Sequence, residues 1–301
     1  MQQDIIDLYR DYSLGAVTRR VFFERLVQVT GGAGAALALM PVLEGQAAQA
    51  PQSQAPAAQT PAAPYAPVVA ENDKRLASSR IEYPAGDTKI AGYLARLKEG
   101  GKRPAVLVIH ENRGLTPHIE DVARRMAVEG FLALAPDMLS PLGGAAAAGD
   151  QATKLIGTLK PEETVARLAA AVKFLASHPD STGKVGVVGF CWGGAMTNRV
   201  MASGAGAAAG VPYYGSVLPA DQVPQISGPL LLHYAGDDAR INAGIPDFEA
   251  ALKANNKPYE KYIYEGAQHA FNNDSNPARY NKAAADLAWG RTIAFFKKYL
   301  K

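Results

Sequence analysis

Cys191 is the residue of this 301-residue chain best suited to covalent chemistry, and it is the only cysteine. It follows an apolar run and lies in the stretch GFCWGG at 189–194. A sharp turn from a strand into a helix forces its apex residue into strained backbone space and leaves no room for neighbouring side chains, so glycines must flank it. The pattern predicts a nucleophilic thiol at such an elbow. A buried, inert cysteine is the alternative.

A nucleophile of this kind needs a base and a group that orients the base. Asp237 and Asp238 follow the apolar run 229–235, which predicts a buried strand. His269 follows a second predicted strand at 259–264 and lies in a loop. The order nucleophile, acid and histidine therefore predicts a catalytic triad.

The other four histidines occupy contexts that do not suggest a base. His110 ends a predicted strand and could border the site, whereas His233 lies inside a strand and is expected in the core. His118 and His178 lie near predicted helix ends, where solvated or capping roles are expected.

These residues resemble the dienelactone hydrolase family, whose members have the α/β-hydrolase fold and a cysteine as the nucleophile. The resemblance covers roughly residues 75 to 300. It implies that Cys191 is the nucleophile, His269 the base and Asp238 the orienting acid. Asp238 is preferred because the family's loop has the form D-x-x-V/I, which 238–241 match. Asp237 is the fallback.

The resemblance also implies a role for Glu111, which lies in the stretch HENRG after the predicted strand 105–109. A fixed anion beside a thiol would raise its pKa. In the family the glutamate moves and accepts the thiol proton when substrate binds. A solvated loop charge is the alternative for Glu111. The backbone N–H groups of Trp192 and Asn112 are expected to form the oxyanion hole.

The chain departs from the family where substrate would bind. Members that cleave dienelactone have an arginine a few residues after the histidine, which helps to clamp the substrate carboxylate, whereas AFNN follows His269 here. An amide cannot replace a guanidinium in this role. Arg113 or Arg240 could compensate. Tyr213 and its neighbour Tyr214, at the end of the predicted strand 210–215, could line the pocket, with a place in the core or at the rim as the alternative. Cleavage of dienelactone itself stays an open question.

The segments around these residues predict alternating strands and helices. Helices are expected after Thr116-Pro117 and from Pro161, and a final helix should bury Trp289, Ile293, Phe296 and Leu300. This alternation predicts an α/β-hydrolase fold with a mostly parallel central sheet covered by helices on both faces. Residues 138–160 are expected to be irregular and could act as a lid.

The first 70 residues differ in character from the rest. Arg19-Arg20 and the weakly apolar stretch 26–43 predict a Tat-type export signal within 1–50, followed by a Pro/Ala/Gln-rich linker at 51–70. We expect a periplasmic or secreted protein that uses the Tat export machinery and has no stable membrane span. An N-terminal amphipathic helix that stays attached is the alternative. The dienelactone hydrolase-like domain is expected at 71–301.

The net charge and the absence of certain motifs argue against several classes of function. A formal net charge of +3 does not suggest nucleic-acid binding, and no Cys/His cluster or phosphate-binding glycine loop is present in the sequence, so neither a metal nor another cofactor is expected. The sequence predicts a hydrolase that cleaves a small ester or lactone through an acyl-cysteine. The alternatives are an exported redox-sensing or ligand-binding module that uses Cys191 as an oxidisable thiol, and a hydrolase of larger esters or peptides.

Overall fold

The computed structural model describes residues 19–30 and 65–301. A compact unit begins at Tyr65 and ends at Lys301, and it includes residues 65–70 of the predicted linker. Arg19–Thr30 forms helix α1, which starts at the twin arginines. The rest of the predicted signal region and linker residues 51–64 lie outside the described residues. No helix in the described ranges is long and apolar enough to cross a bilayer.

The compact unit is organised around one eight-stranded sheet, which confirms the predicted α/β-hydrolase fold. The strands are β1 (Leu76–Ala85), β2 (Thr88–Leu97), β3 (Arg103–Ile109), β4 (Leu132–Pro136), β5 (Ser181–Phe190), β6 (Ala209–Tyr213), β7 (Leu230–Asp237) and β8 (Tyr259–Gln268). Their spatial order is β1-β2-β4-β3-β5-β6-β7-β8. All pairs from β4 to β8 are parallel, whereas β1 with β2 and β2 with β4 are antiparallel.

Helices connect the strands and cover the sheet. They are α2 (Pro117–Val128), α3 (Ala145–Ala148), α4 (Ala152–Ile156), α5 (Pro161–Ser177), α6 (Trp192–Ala202), α7 (Ala239–Asn242), α8 (Ile245–Ala254) and α9 (Lys282–Tyr299). The starts predicted at Pro117 and Pro161 agree with α2 and α5. Proline suits these first positions because its missing N–H would be unpaired there anyway.

Strand β3 illustrates why both faces need covering. Successive side chains of a strand point to opposite faces. Val106 and Val108 pack in a cluster with Ile119 of α2 and Phe296 of α9. Leu107 and Ile109 pack in a second cluster, which includes residues of α5 and α8. The uninterrupted apolar run of β3 is therefore the signature of a strand buried on both sides.

Residues 138–160 are more ordered than the sequence predicted. The segment contains α3, α4 and two short 3-10 turns. Asp137 organises its start, because its carboxylate accepts hydrogen bonds from the N–H groups of Leu139 (3.0 Å) and Ala145 (2.7 Å). Leu139 and Ile156 are buried in a small cluster against Trp192. The segment thus packs beside the residue that follows Cys191.

Candidate active site

Cys191 lies at the apex of a sharp turn between β5 and α6. Its φ of 54° and ψ of −112° place it in backbone space that is unfavourable for a residue with a side chain. Strain of this kind costs on the order of 1–3 kcal/mol and persists only where surrounding packing enforces it. The elbow turns the thiol toward the space beyond the carboxyl end of the sheet, as the glycine pattern predicts.

Close packing of backbone explains the three glycines around Cys191. A Cβ atom added to Gly189 would lie 2.1 Å from the carbonyl oxygen of Gly193. At Gly193 it would lie 2.4 Å from the carbonyl oxygen of Ile109, and at Gly194 2.5 Å from that of Tyr213. All three distances are shorter than atoms can approach. Helix α6 can therefore lie this near the strand ends only because these positions have no side chain.

Three loops bring Cys191, His269 and Asp238 into one hydrogen-bonded line. Cys191 Sγ lies 3.0 Å from His269 Nε2, and His269 Nδ1 lies 2.5 Å from Asp238 Oδ2. Cys191 follows β5, Asp238 follows β7 and His269 follows β8. The strands β7 and β8 are neighbours, and β6 lies between β5 and β7. A carboxylate at Nδ1 keeps the proton on that nitrogen and leaves Nε2 to accept the thiol proton.

The structure distinguishes between the two candidate acids. Asp238 is only 7% exposed and faces His269, whereas Asp237 is exposed at the end of β7 and makes no contact with the imidazole among the described hydrogen bonds. Burial matters because a buried carboxylate needs a hydrogen-bonding partner to remain charged. Asp238 obtains that partner in His269.

The surroundings of Cys191 favour its protonated form. Burial raises the pKa of the thiol to about 11, and the negative charges of Glu111 and Asp238 act in the same direction. The backbone N–H of Trp192 and the positive charge of Arg240 oppose them. The sulfur is therefore protonated at neutral pH, and a base would have to take its proton before it could act as a nucleophile.

Glu111 is held between two side chains that were not predicted for this purpose. Its Oε2 accepts a hydrogen bond of 2.5 Å from Asn273 Nδ2, and its Oε1 accepts a long one of 3.4 Å from the Tyr214 hydroxyl. The Tyr214 ring also packs edge-on against His269, with 5.1 Å between ring centroids. The only sequence signal for Asn273 was its position in the loop after His269.

His110 supports the loop that contains Glu111. It is fully buried, and burial lowers its pKa, so the ring is neutral. Its Nδ1–H donates to the carbonyl of Glu111 (2.6 Å), while its Nε2 accepts from the N–H of Met138 (3.2 Å). The ring stacks on Trp192 at 5.2 Å. His110 therefore fixes both backbone segments that would supply an oxyanion hole.

The two N–H groups predicted for that hole differ in their hydrogen bonding. The Trp192 N–H interacts with the Cys191 sulfur. The N–H of Asn112 donates no hydrogen bond to any residue in 19–30 or 65–301. An oxyanion hole requires N–H donors without an internal partner, and the Asn112 N–H meets that requirement within the described residues.

Tyr213 is a correction to the predicted substrate-binding residues. It is fully buried, and its hydroxyl is hydrogen-bonded to Thr292 Oγ1 at 2.7 Å beneath the site. The reason is the backbone: Tyr213 is the last residue of β6, and Tyr214, with a φ of 37°, leaves the strand toward Glu111. Tyr214 is thus the tyrosine that faces the site.

The other arginines and histidines considered in the sequence differ in their exposure. Arg240 is exposed in α7 and its charge acts on Cys191. Arg113 is exposed and lines a cavity of about 460 Å³ with Thr116 and Ala145. His233 lies in the core as expected, with its pKa lowered to about 3 by burial and by Arg291. His178 is partly exposed.

His118 is a second correction. The sequence predicted a solvated or capping histidine, but the side chain is 3% exposed and its Nδ1 lies 2.8 Å from Asp274 Oδ1. In the described ranges, no group of three or more His, Cys, Asp or Glu side chains is arranged to hold a metal ion.

The part of the chain that contains the candidate site is similar to known proteins. Residues 90–300 match the model of the dienelactone hydrolase family. A protein of Escherichia coli (strain K12), provisionally named carboxymethylenebutenolidase, is 30% identical over 247 residues, which are 77% of this chain and 91% of that protein. A Bradyrhizobium protein, provisionally named 2-oxo-3-(5-oxofuran-2-ylidene)propanoate lactonase, is 31% identical over 71% of this chain and 91% of its own length.

A solved structure gives the same result for the fold. A Klebsiella pneumoniae protein, provisionally described as a dienelactone hydrolase, superposes with a TM-score of 0.70 and 29% sequence identity. The match covers 74% of this chain and 99% of that protein. The matched part of this chain therefore spans nearly all of that structure.

Proposed function

Since this chain belongs to the dienelactone hydrolase family, we propose that it hydrolyses a small ester or lactone through an acyl-cysteine intermediate. The observation that carries the proposal is the line of contacts from Cys191 Sγ through His269 to Asp238. An inert cysteine requires neither a base at 3.0 Å nor a carboxylate behind that base.

The first half of the reaction forms the acyl-enzyme. Cys191 Sγ attacks the ester carbonyl carbon as its proton passes to His269 Nε2, and the carbonyl oxygen becomes an oxyanion near the Trp192 and Asn112 amides. The tetrahedral intermediate then breaks its C–O bond. The leaving alkoxide takes a proton from His269 Nε2, which leaves a thioester on Cys191.

The second half returns the enzyme to its starting state. His269 removes a proton from a water molecule, whose oxygen attacks the thioester carbonyl. The C–S bond breaks, the acid product leaves and the sulfur takes back a proton from His269 Nε2. Asp238 stabilises the imidazolium in both halves without taking its proton. The sum is ester plus water giving acid plus alcohol, and for a lactone both products are one hydroxy acid.

Glu111 and the high pKa of Cys191 fit a thiol that is activated only when substrate binds. The thiol proton can pass to His269 directly, or to the Glu111 carboxylate and from there to His269 if substrate displaces the Glu111 side chain from Asn273. A thiol that stays protonated between turnovers is also protected, because oxidation proceeds through the thiolate. That protection would be useful in an oxidising compartment.

Charge near the site bears on the substrate class. Glu111 and Asp238 are anionic, and Asn273 follows His269 where dienelactone-cleaving relatives use a cation. Arg240 is the cation whose charge reaches Cys191. We propose that neutral esters and lactones are preferred over substrates with a carboxylate, and that Arg240 provides what anionic binding the site has.

We also propose that the protein is exported by the Tat route to the periplasm or beyond. The support is the Arg19-Arg20 pair and the apolar stretch after it. Fusion of residues 1–64 to a reporter that functions only after export tests this. Loss of export on changing both arginines to lysine is expected, and unchanged export would contradict the proposal.

Two other functions have less support. A redox-sensing or ligand-binding module would need Cys191 but neither His269 nor Asp238 in line with it. A hydrolase of larger esters or peptides would share the triad, so substrate size has to be measured directly.

The experiment is a hydrolysis assay with the full chain on p-nitrophenyl esters of increasing acyl length, on simple lactones and on dienelactone. Cys191→Ala and Cys191→Ser are the matched variants. We expect turnover of the short esters or lactones that falls to background in Cys191→Ala. Folded protein with no Cys191-dependent turnover on any of these substrates would refute the hydrolase proposal.

A further inference from the structure

The Glu111 carboxylate is held in place from a distant part of the chain. Its shortest contact is the 2.5 Å hydrogen bond from Asn273 Nδ2, and within the described residues no lysine or arginine forms an ion pair with it. We propose that Asn273 is a positioning residue that fixes Glu111 beside Cys191, and that Asp274 anchors the loop on which Asn273 lies. This inference rests on the proposed role of Cys191 as the reactive thiol.

The orientation of the Asn273 amide is determined by its neighbours. Its Oδ1 accepts hydrogen bonds from the N–H of Ser275 (3.0 Å) and from the Ser275 hydroxyl (2.5 Å). Because only the oxygen of an amide can accept these bonds, the Nδ2 group must face Glu111. A neutral amide thus serves as the donor to the carboxylate, and it leaves the charge of Glu111 uncompensated.

Asp274 ties this loop to helix α2. Its carboxylate lies 2.8 Å from His118 Nδ1 and 2.5 Å from Arg125 Nη2. Although burial opposes ionisation, the His118 hydrogen bond and the Arg125 charge lower the pKa of Asp274 to about 2. Arg125 is also bound to the fully buried Asp121. The loop is therefore anchored to α2 through His118 and Arg125.

Asp121 links this anchoring point on α2 to the start of the compact unit. It accepts hydrogen bonds from the Tyr65 hydroxyl (2.6 Å) and from the N–H groups of Val68 and Val69 (both 2.9 Å). Residues 65–69, α2 and the loop after His269 consequently form one connected support. At the end of this connected support, the Asn273 amide donates its hydrogen bond to Glu111.

The arrangement predicts how Cys191 would respond if Asn273 were removed. The charged or titratable groups that face the thiol are Glu111, Asp238, His269, Arg240 and Tyr214. Without Asn273, the Glu111 anion keeps only the long contact to Tyr214, and water would solvate it better than that site does. Its movement away from Cys191 would increase the fraction of thiolate.

The test is the rate at which iodoacetamide alkylates Cys191 in the full chain between about pH 6 and about pH 10. In this range the thiolate, which is the reactive form, is the minor form of Cys191. Cys191 is the only cysteine, so the signal needs no correction for other thiols. Asn273→Ala should raise the rate about tenfold near neutral pH, which corresponds to a shift of about one pKa unit. Asn276→Ala, in the same loop, is the matched control, because its side chain makes no hydrogen bond within the described residues.

The decisive comparison is in a Glu111→Gln background. If Asn273 acts through the Glu111 charge, then Asn273→Ala should cause no further change there, whereas a merely structural role would persist. An Asn273→Ala rate equal to that of Asn276→Ala would overturn the inference. So would an equal Asn273→Ala effect in both backgrounds.

A milder variant guards against misfolding. Asp274→Asn keeps the size of the anchor but weakens its pairing with Arg125, and it should change the alkylation rate in the same direction by a smaller factor. No change with this variant, if Asn273→Ala is unfolded, would also overturn the inference. Alkylation does not depend on ester turnover, so failure of the hydrolase proposal and failure of this inference are separately visible.

Discussion

Substitution of Asp238 by asparagine tests the geometry of the site most sharply. The change preserves size but removes the charge behind His269 Nδ1. Across the 2.5 Å that separates Nδ1 from Oδ2, the attraction between unit charges is about 6–7 kcal/mol at an effective dielectric constant of about 20. The asparagine would also present an N–H to Nδ1 and favour the opposite tautomer, in which Nε2 carries the proton and cannot accept one from Cys191.

The expected loss in kcat is about 10³-fold to 10⁴-fold, which corresponds to roughly 4–5.5 kcal/mol of transition-state stabilisation. This is less than the full Coulomb attraction because a neutral hydrogen-bonding partner remains. The assay is hydrolysis of the best p-nitrophenyl ester found for the unaltered enzyme. Urea denaturation of the same sample separates loss of catalysis from loss of folding.

Asp237→Asn is the matched control, since it makes the same chemical change one residue earlier. Asp237 is exposed and makes no contact with His269, so the variant should stay within about twofold of the unaltered enzyme. Comparable losses in the two variants, or less than a tenfold loss in folded Asp238→Asn, would refute the reasoning from geometry.

Two further predictions concern the scaffold. Gly194→Ala should destabilise the fold by about 2 kcal/mol or more, because the new methyl would lie 2.5 Å from the Tyr213 carbonyl oxygen. Gly290→Ala, in an exposed part of α9 with nothing within 4 Å, should stabilise the fold by about 0.5–1 kcal/mol. The midpoints of urea denaturation measure both changes, and the opposite order of stability would contradict the packing argument. A truncated form that begins at residue 71 should be less stable by about 3–5 kcal/mol than one that begins at Tyr65, because the buried Asp121 carboxylate loses three hydrogen bonds. Equal urea midpoints would show that residues 65–70 are dispensable.

The elbow and the order of its partners were predictable because they depend on local geometry. Glycines at 189, 193 and 194 report close backbone contacts, and parallel strands place the loops after them at one edge of the sheet. The burial of β3 on both faces was likewise visible as a continuous apolar run. The family resemblance, confirmed over 90–300, rests on the same residues.

The antiparallel strands β1 and β2 were not predicted. Buried positions in β1 are scattered among exposed ones, so the strand lacks the continuous apolar run that identified the inner strands. Its pairing depends on the short turn between Ala85 and Thr88 and on the partner strand. Such edge strands have little signal of their own in a sequence.

The surroundings of Glu111 were also beyond the sequence. Asn273 reaches it from 162 positions away in the chain, and loop conformation alone decides that contact. Tyr213 and Tyr214 are adjacent and chemically identical, so only the end of β6 and the positive φ of Tyr214 determine which of them faces the site. The buried His118 was missed because its partner, Asp274, lies in that same distant loop.

The central claim is that Cys191 becomes acylated during turnover. The most direct measurement is mass spectrometry of the Cys191 peptide after the full chain is mixed with p-nitrophenyl acetate and quenched in acid during steady-state hydrolysis. We expect one acetyl group on Cys191, formed at least as fast as turnover and absent from Cys191→Ala. Turnover without any acyl group on Cys191, or an adduct that forms more slowly than product appears, would contradict it.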